Sequence, residues 1–151
     1  MPVVKMTDNY PTGCESASAV SLLNYHGIDV DLETFISDYL TTGELKKKGK
    51  SYQGPSPEEV FIGNPRTREG YGCYAPVIEA SFQKILETVP GGEQFTVENL
   101  TGSSLKTLES HLEKGTPVMI WATGKMMAPT PGTTWTVEST GEQFTWQKGE
   151  H

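Results

Sequence analysis

The sequence is organised around one stretch near its start, a turn that leads into a helix: Asn9-Tyr10-Pro11-Thr12-Gly13-Cys14-Glu15-Ser16-Ala17-Ser18. Apolar residues follow at helical spacing, so we predict a helix over residues 15–25 that Gly27 ends. The amide N–H groups at a helix start are unpaired and partly positive, which stabilises a thiolate. A lowered thiol pKa makes a cysteine nucleophilic near neutral pH. Cys14 is therefore a candidate nucleophile, and an ordinary small core residue is the alternative.

The composition indicates a single acidic domain. The chain has 151 residues and a net charge of −7, from 12 basic and 19 acidic residues, and this length is typical of one domain with a real core. The run Lys46 to Lys48 lies near glycines and is expected to be a solvated loop. Binding of nucleic acid requires a basic face that neutralises phosphates, so this class of partner is excluded.

Other classes of site also lack support in the sequence. No apolar run is long enough to cross a membrane, and residues 1–5 lack the apolar segment of a signal peptide. The two cysteines and three histidines show no metal-ligand spacing, so we predict no metal and no cofactor. A disulfide between Cys14 and Cys73 is less favoured, because a nucleophilic role explains Cys14 better.

Three further helices are predicted from capping residues and apolar periodicity. Asp31 is expected to cap the first of them, and Pro76 to open the second. Ser103 or Ser104 is expected to cap the third, whose leucines should face inward and which Gly115 should close.

Strands are predicted mainly in the last third of the chain. Residues 117–122 form a continuous apolar run, which is typical of a central strand buried on both faces. Residues 135–138 and 143–146 alternate around a Ser-Thr-Gly turn and indicate a hairpin. Residues 96–100 are expected to form a short strand, and residues 41–56 a polar excursion without regular structure. Because helices precede strands, the fold class should be α+β.

Four blocks of sequence, in order along essentially the whole chain, carry a resemblance to a known family. They are residues 9–18 with 22–27, residues 61–65 with 70–76, residues 115–121, and residues 144–146 with 150–151. The chain resembles the stand-alone bacterial relatives of the bacteriocin-processing (double-glycine leader) peptidases, in the thirty-ninth family of cysteine peptidases. The resemblance implies one papain-like peptidase domain over residues 1–151, with a helical half followed by an antiparallel sheet.

The resemblance also implies the roles of individual residues. Cys14 would be the nucleophile and His151, the last residue given, the general base. In the family an Asp or Asn on a later strand orients that histidine, so the C-terminal strands of the domain are expected to be missing here. Relatives commonly place a glutamine before the cysteine for the oxyanion. Residues 4–8 contain none, so Asn9 is the candidate side-chain donor beside the Cys14 backbone N–H.

The loop over residues 61–76 is dense in glycine and aromatic residues, and loops of this length are usually functional or mobile. Its Tyr71 and Tyr74, together with Trp135, are candidates for the wall of a substrate groove. Packing in the core or on a sheet face is the alternative for Trp135. Cys73 is expected to be a loop thiol without a catalytic role.

The expected activity is hydrolysis of peptide bonds through an acyl-enzyme on Cys14. Two alternatives stay open: a catalytically impaired peptide-binding module on the same fold, and amide or acyl transfer by the same two residues. A peptide or protein is the expected partner. Cleavage specificity, oligomeric state and compartment are left open, although stand-alone relatives are often exported or attached to the bacterial surface.

Overall fold

The structure is a computed structural model that describes residues 2–149. It combines helices with mixed sheets and so belongs to the α+β class. The helices are α1 Cys14–Tyr25, α2 Leu32–Thr34 continued by a π-helix Phe35–Tyr39, α3 Ala75–Thr88 and α4 Leu105–Glu113. The strands are β1 Thr42–Gly43, β2 Lys46–Lys48, β3 Ser51–Gly54, β4 Phe61–Ile62, β5 Thr130–Val137 and β6 Gln143–Lys148.

The predicted helices are confirmed, because their end signals are local. Gly27 follows α1 with a φ of +79°, a conformation that favours glycine. Asp31 caps α2 by accepting a hydrogen bond from the Thr34 N–H at 2.8 Å. Ser104 caps α4 through the Thr107 N–H at 3.2 Å, and Pro76 lies in the first turn of α3.

The prediction that the leucines of α4 face inward is wrong. Leu105 is 78% exposed and Leu112 is 57% exposed, and among the described residues no side chain of α4 is buried. The helix has an apolar stripe, but the stripe lies beside an open cavity, of which Leu108 forms part of the wall.

Two predicted strands are absent from the described structure, and four observed strands, β1 to β4, were not predicted. Strand β4 lies within residues 61–76, which were expected to form a loop. Residues 96–100 and 117–122 are irregular, and Ile120 is 63% exposed. A strand needs a neighbour to pair its backbone groups, and no strand of the described part of the chain lies beside residues 117–122. Residues 41–56, expected to be irregular, instead supply β1, β2 and β3. The lysine run is β2 itself, an exposed strand.

The main sheet has the strand order β2-β3-β5-β6. The predicted hairpin is confirmed as β5 and β6, which pair antiparallel with Trp135 opposite Phe144. The sheet is mixed and not antiparallel throughout, because β3 pairs with β5 in parallel. The chain reaches β5 from β3 through α3 and α4, and such a long crossover is what parallel pairing requires.

The described residues form two hydrophobic cores that meet at residues 71–74. The larger core packs α1, α2, the π-helix and α3, and it includes Cys73. The smaller core lies on the sheet and consists of Ile62, Trp135, Val137 and Trp146, with Tyr71 and Tyr74 packed against it. We call residues 71–74 the junction loop, because Cys73 lies in the larger core while Tyr71 and Tyr74 pack against the smaller one.

Candidate active site

The loop before Cys14 is held in place by hydrogen bonds to a second loop. The Thr12 hydroxyl donates to the carbonyl of Thr67 at 2.9 Å, and the Thr12 N–H donates to the carbonyl of Pro65 at 3.3 Å. A Cβ atom at Gly70 would lie only 2.4 Å from the Thr12 Oγ1, so the two loops approach as closely as glycine allows. The position of Cys14 is therefore fixed by residues 64–70.

Glu33 braces the same loop from the outside. It accepts hydrogen bonds from the Tyr10 hydroxyl, from Ser37 and from the Arg66 guanidinium. Those bonds, with that of Arg66 as the largest cause, lower the pKa of Glu33 to about 2. The brace is exposed to solvent, so it positions Tyr10 and Arg66 more than it stabilises the fold.

Cys14 is the first residue of α1 and its side chain is partly exposed. The predicted lowering of its pKa is not what the structure gives. Burial raises the pKa of the Cys14 thiol, the Glu15 carboxylate raises it further, and the backbone N–H of Cys14 lowers it by less. Partial burial and an adjacent acid therefore outweigh the helix start.

Cys73 contrasts with Cys14 in its exposure. It is 0% exposed, and burial followed by the Glu15 carboxylate holds the pKa of its thiol well above the ordinary value. Its carbonyl accepts a hydrogen bond from the indole N–H of Trp121 at 2.8 Å. Both thiols are free, and Cys14 is the one that a reagent or substrate can reach.

Glu15 lies next to the candidate nucleophile and was not predicted from the sequence as a site residue. It is 2% exposed, and burial raises the pKa of its carboxyl to about 7, against the lowering effect of the backbone N–H groups of Glu15 and Cys73. The signal was its spacing, since Glu15 lies four positions before Ala19 and eight before Leu23, on the buried face of α1. Charged side chains are mostly exposed, so the sequence favoured a surface position for this glutamate.

The junction loop brings the sheet close to the start of α1. The Cys73 N–H donates to the Glu15 Oε1 at 3.3 Å. A Cβ atom at Gly72 would lie 2.3 Å from that oxygen and 3.0 Å from the Cη2 atom of Trp146. Trp146 is on β6, so the first turn of α1 and the end of the sheet meet across Gly72.

The three aromatic residues predicted for a groove lie together, in different settings. Tyr71 donates its hydroxyl proton to Thr133 at 3.0 Å, and Tyr74 stacks on Trp146 with a centroid distance of 5.7 Å. Both rings are partly exposed. Trp135 is 1% exposed and donates its indole N–H to the carbonyl of Pro55, so the structure places it in the core of the sheet and not at a surface.

Two other predicted site residues have simpler descriptions. Asn9 lies in an exposed turn five residues before Cys14, and its backbone N–H donates to the Thr7 hydroxyl at 3.3 Å. His151 lies outside the described residues, so its pairing with Cys14 stays a prediction. Among residues 2–149 there is no cluster of three side chains that could hold a metal ion.

Two cavities of the described structure have walls that do not include Cys14. One of about 740 Å³ lies between the end of α1, α3 and residues 94–121, and its wall consists mostly of apolar side chains. The other, of about 480 Å³, is lined by residues that include Tyr52, Arg68 and Tyr71. Tyr71, one of the predicted groove residues, thus borders the second of these cavities.

The geometry agrees with the comparison to known families. The family described as Peptidase_C39 like family matches residues 1–151. The chain belongs to this family. The mixed α+β structure, with Cys14 opening a buried helix beside a sheet, is consistent with the papain-like fold of the Peptidase_C39 like family. Membership supports a function of the cysteine-peptidase type at the level of the family, which also includes inactive members.

One relative of this Peptidase_C39-like chain is the uncharacterized protein YvpB of Bacillus subtilis (strain 168). The two are 29% identical over 123 residues, which cover 82% of this chain and 45% of YvpB. The chain thus spans less than half the length of this relative. No solved structure matches the chain. In the described residues no helix is both long and apolar enough to cross a membrane.

Proposed function

We propose that this chain is a cysteine peptidase in which Cys14 is the nucleophile and His151 the general base. His151 takes the thiol proton as the Cys14 sulfur attacks the peptide carbonyl. The C–N bond then breaks, the leaving amine takes the proton from His151, and a thioester joins the acyl group to Cys14. His151 then takes a proton from water, whose oxygen attacks the thioester carbonyl. The C–S bond breaks, the acyl group leaves as a carboxylic acid, and His151 returns the proton to the Cys14 sulfur.

The observation that carries the proposal is the placement of the two thiols. Cys14 is partly exposed at the start of α1, beside the meeting point of the two cores, whereas Cys73 is fully buried. The backbone N–H groups of the first turn of α1 have no partners within the helix, and such groups can stabilise an oxyanion. Membership of the family supports the same assignment.

The raised pKa of Cys14 makes a general base necessary. Burial and the Glu15 carboxylate favour the thiol over the thiolate. The surroundings of Cys14 in the described residues therefore do not keep it in its nucleophilic thiolate form. A base that takes the proton during attack removes this difficulty. We propose His151 for that role, Asn9 as the second oxyanion donor, and Tyr71 and Tyr74 as one wall of the peptide groove.

The test compares hydrolysis of a mixture of fluorogenic peptides by the full-length protein and by its variants. Cys14→Ala and His151→Ala should each abolish turnover, and Cys73→Ala should retain it if it folds. Removal of a catalytic nucleophile or base in such sites costs several orders of magnitude in rate. Turnover by Cys14→Ala at the wild-type rate would refute the proposal.

The second candidate is a peptide-binding module, and the raised pKa of Cys14 is the observation that favours it. A thiol that stays protonated is compatible with recognition without chemistry. The two candidates differ in what Cys14→Ala does. Loss of turnover with retained peptide binding supports the peptidase, whereas peptide binding without any turnover by the wild-type protein supports the module.

A further inference from the structure

Glu15 is a buried carboxyl group directly after the candidate nucleophile. Among residues 2–149 it is the only buried acidic side chain, and it is 2% exposed. Burying a carboxyl group costs free energy unless hydrogen bonds compensate for the lost water. Packing alone therefore does not explain a glutamate at this position of α1.

Three segments of the chain surround the carboxyl. Its Oε1 accepts a hydrogen bond from the Cys73 N–H at 3.3 Å, and the missing side chain of Gly72 leaves the space that this oxygen occupies. The Trp146 ring of β6 lies on the other side of the same space. The Oε2 has no hydrogen-bond partner within residues 2–149, so one oxygen is held and the other can carry a proton.

We propose that Glu15 is a positioning residue for Cys14: its neutral carboxyl anchors the start of α1 to the junction loop, and its anion opposes formation of the Cys14 thiolate. The proposal rests on the proposed function only in taking Cys14 as the reacting group. It goes further because it makes the pH range in which Cys14 reacts depend on the protonation of Glu15.

The charges around Glu15 support this role. Its carboxylate raises the pKa of both thiols, Cys14 on its own helix and Cys73 on the junction loop. The other titratable groups on the packed elements are Tyr71 and Tyr74 of the junction loop, whose rings both contact Trp146, Tyr25 at the far end of α1, and Lys148 of β6. In the described part of the chain no lysine or arginine forms an ion pair with Glu15. The field of its anion therefore acts on Cys14 without a compensating cation.

The ionisation of Glu15 falls in the range where cysteine chemistry takes place. Burial raises the pKa of this carboxyl to about 7, so it loses its proton as the pH rises through neutrality. Above that pH the anion disfavours a second negative charge on Cys14. The thiol should therefore titrate at a higher pH than it would beside a neutral side chain of the same shape.

The test follows alkylation of Cys14 by iodoacetamide between pH 5 and 10, with the modified peptide identified by mass spectrometry. The variant is Glu15→Gln, which is close in shape, always neutral, and able to accept the Cys73 hydrogen bond. The matched control is Glu87→Gln, an exposed glutamate on α3. We expect Glu15→Gln to move the midpoint down by at least about half a pH unit, with roughly twofold to threefold faster alkylation at pH 8.

An unchanged midpoint in Glu15→Gln would overturn the proposal, since a merely structural residue would change the melting temperature and leave this midpoint where it is. If Glu15→Gln does not fold, the wild-type profile decides. It should show a second inflection near pH 7 from Glu15, and a single titration would overturn the proposal.

Alkylation needs no turnover, so its outcome is separate from that of the proposed function. A shifted midpoint in a protein that hydrolyses no peptide would support the role of Glu15 and refute the peptidase. An unshifted midpoint in an active peptidase would support the peptidase and refute the role of Glu15.

Discussion

The backbone N–H of Cys73 lies 3.3 Å from the Oε1 of Glu15. This hydrogen bond ties the residue after the candidate nucleophile to the loop where the helical core and the sheet core meet. A change in the protonation of Glu15, or in the space that its side chain occupies, should therefore alter both the stability of the fold and the reactivity of Cys14.

The stability of the protein should decrease as the pH rises towards neutrality. The pKa of Glu15 is raised from 4.5 to about 7 in the folded state, so the folded protein binds this proton more tightly than the unfolded chain. The stabilisation is fully present below pH 4.5 and is lost as the pH rises through 7. A pKa difference of this size corresponds to about 3 kcal/mol in the free energy of unfolding.

Urea unfolding in small pH steps measures this dependence. Glu15→Gln should lose the decrease between these two pH values, whereas Glu87→Gln should follow the wild type. If Glu15→Gln keeps the wild-type pH dependence, the buried carboxyl is not its source.

Gly72 should be the least replaceable of the glycines with positive φ in loops. Its φ is +140°, and a Cβ atom there would lie 2.3 Å from the Glu15 Oε1. Gly141 also has a positive φ, of +76°, but a Cβ atom would meet nothing within 4 Å. Gly72→Ala should therefore lose at least about 2 kcal/mol more stability than Gly141→Ala, because it adds overpacking to backbone strain. Equal losses would show that the carboxyl does not fill this space.

The two thiols should differ strongly in reactivity. Cys14 is partly exposed and Cys73 is fully buried with a pKa well above the ordinary value. We expect iodoacetamide to modify Cys14 at least about tenfold faster in the folded protein, and both at similar rates in urea. Comparable rates under native conditions would remove the reason to prefer Cys14 as the nucleophile.

The Thr12 hydroxyl should contribute to the position of the Cys14 loop. Its hydrogen bond to the carbonyl of Thr67 is lost in Thr12→Val and kept in Thr12→Ser. We expect Thr12→Val to cost about 1 kcal/mol in thermal unfolding, and Thr12→Ser to cost less. The opposite order would indicate that the methyl group of Thr12, and not its hydroxyl, holds the loop.

The helices could be predicted from the sequence because their determinants lie within a few residues. Asp31 and Ser104 cap helices through amides three positions later, and both appear in the sequence beside the apolar positions that they precede. The hairpin of β5 and β6 was predictable for the same reason. The irregular structure of residues 117–122 could not be predicted, because a strand depends on distant partners that an apolar run does not specify.

The site could be predicted only in part. Cys14 is marked by the turn before it and by the family blocks, but the direction of its pKa shift depends on burial and on Glu15, which are tertiary properties. The burial of Trp135 likewise depends on β3, which pairs with β5. Residues 41–56, which include β3, have no periodic pattern that would predict this strand. Charge and local pattern therefore mislead where distant segments decide what is buried.

The central claim is that Cys14 attacks the peptide carbonyl, and trapping of the acyl-enzyme tests it most directly. The full-length protein is mixed with a peptide ester, quenched in acid, and digested for mass spectrometry. We expect an acyl group on the peptide that contains Cys14 in the wild type and none in Cys14→Ser. An acyl group on Cys73, or peptide hydrolysis that continues in Cys14→Ser at the wild-type rate, would contradict it.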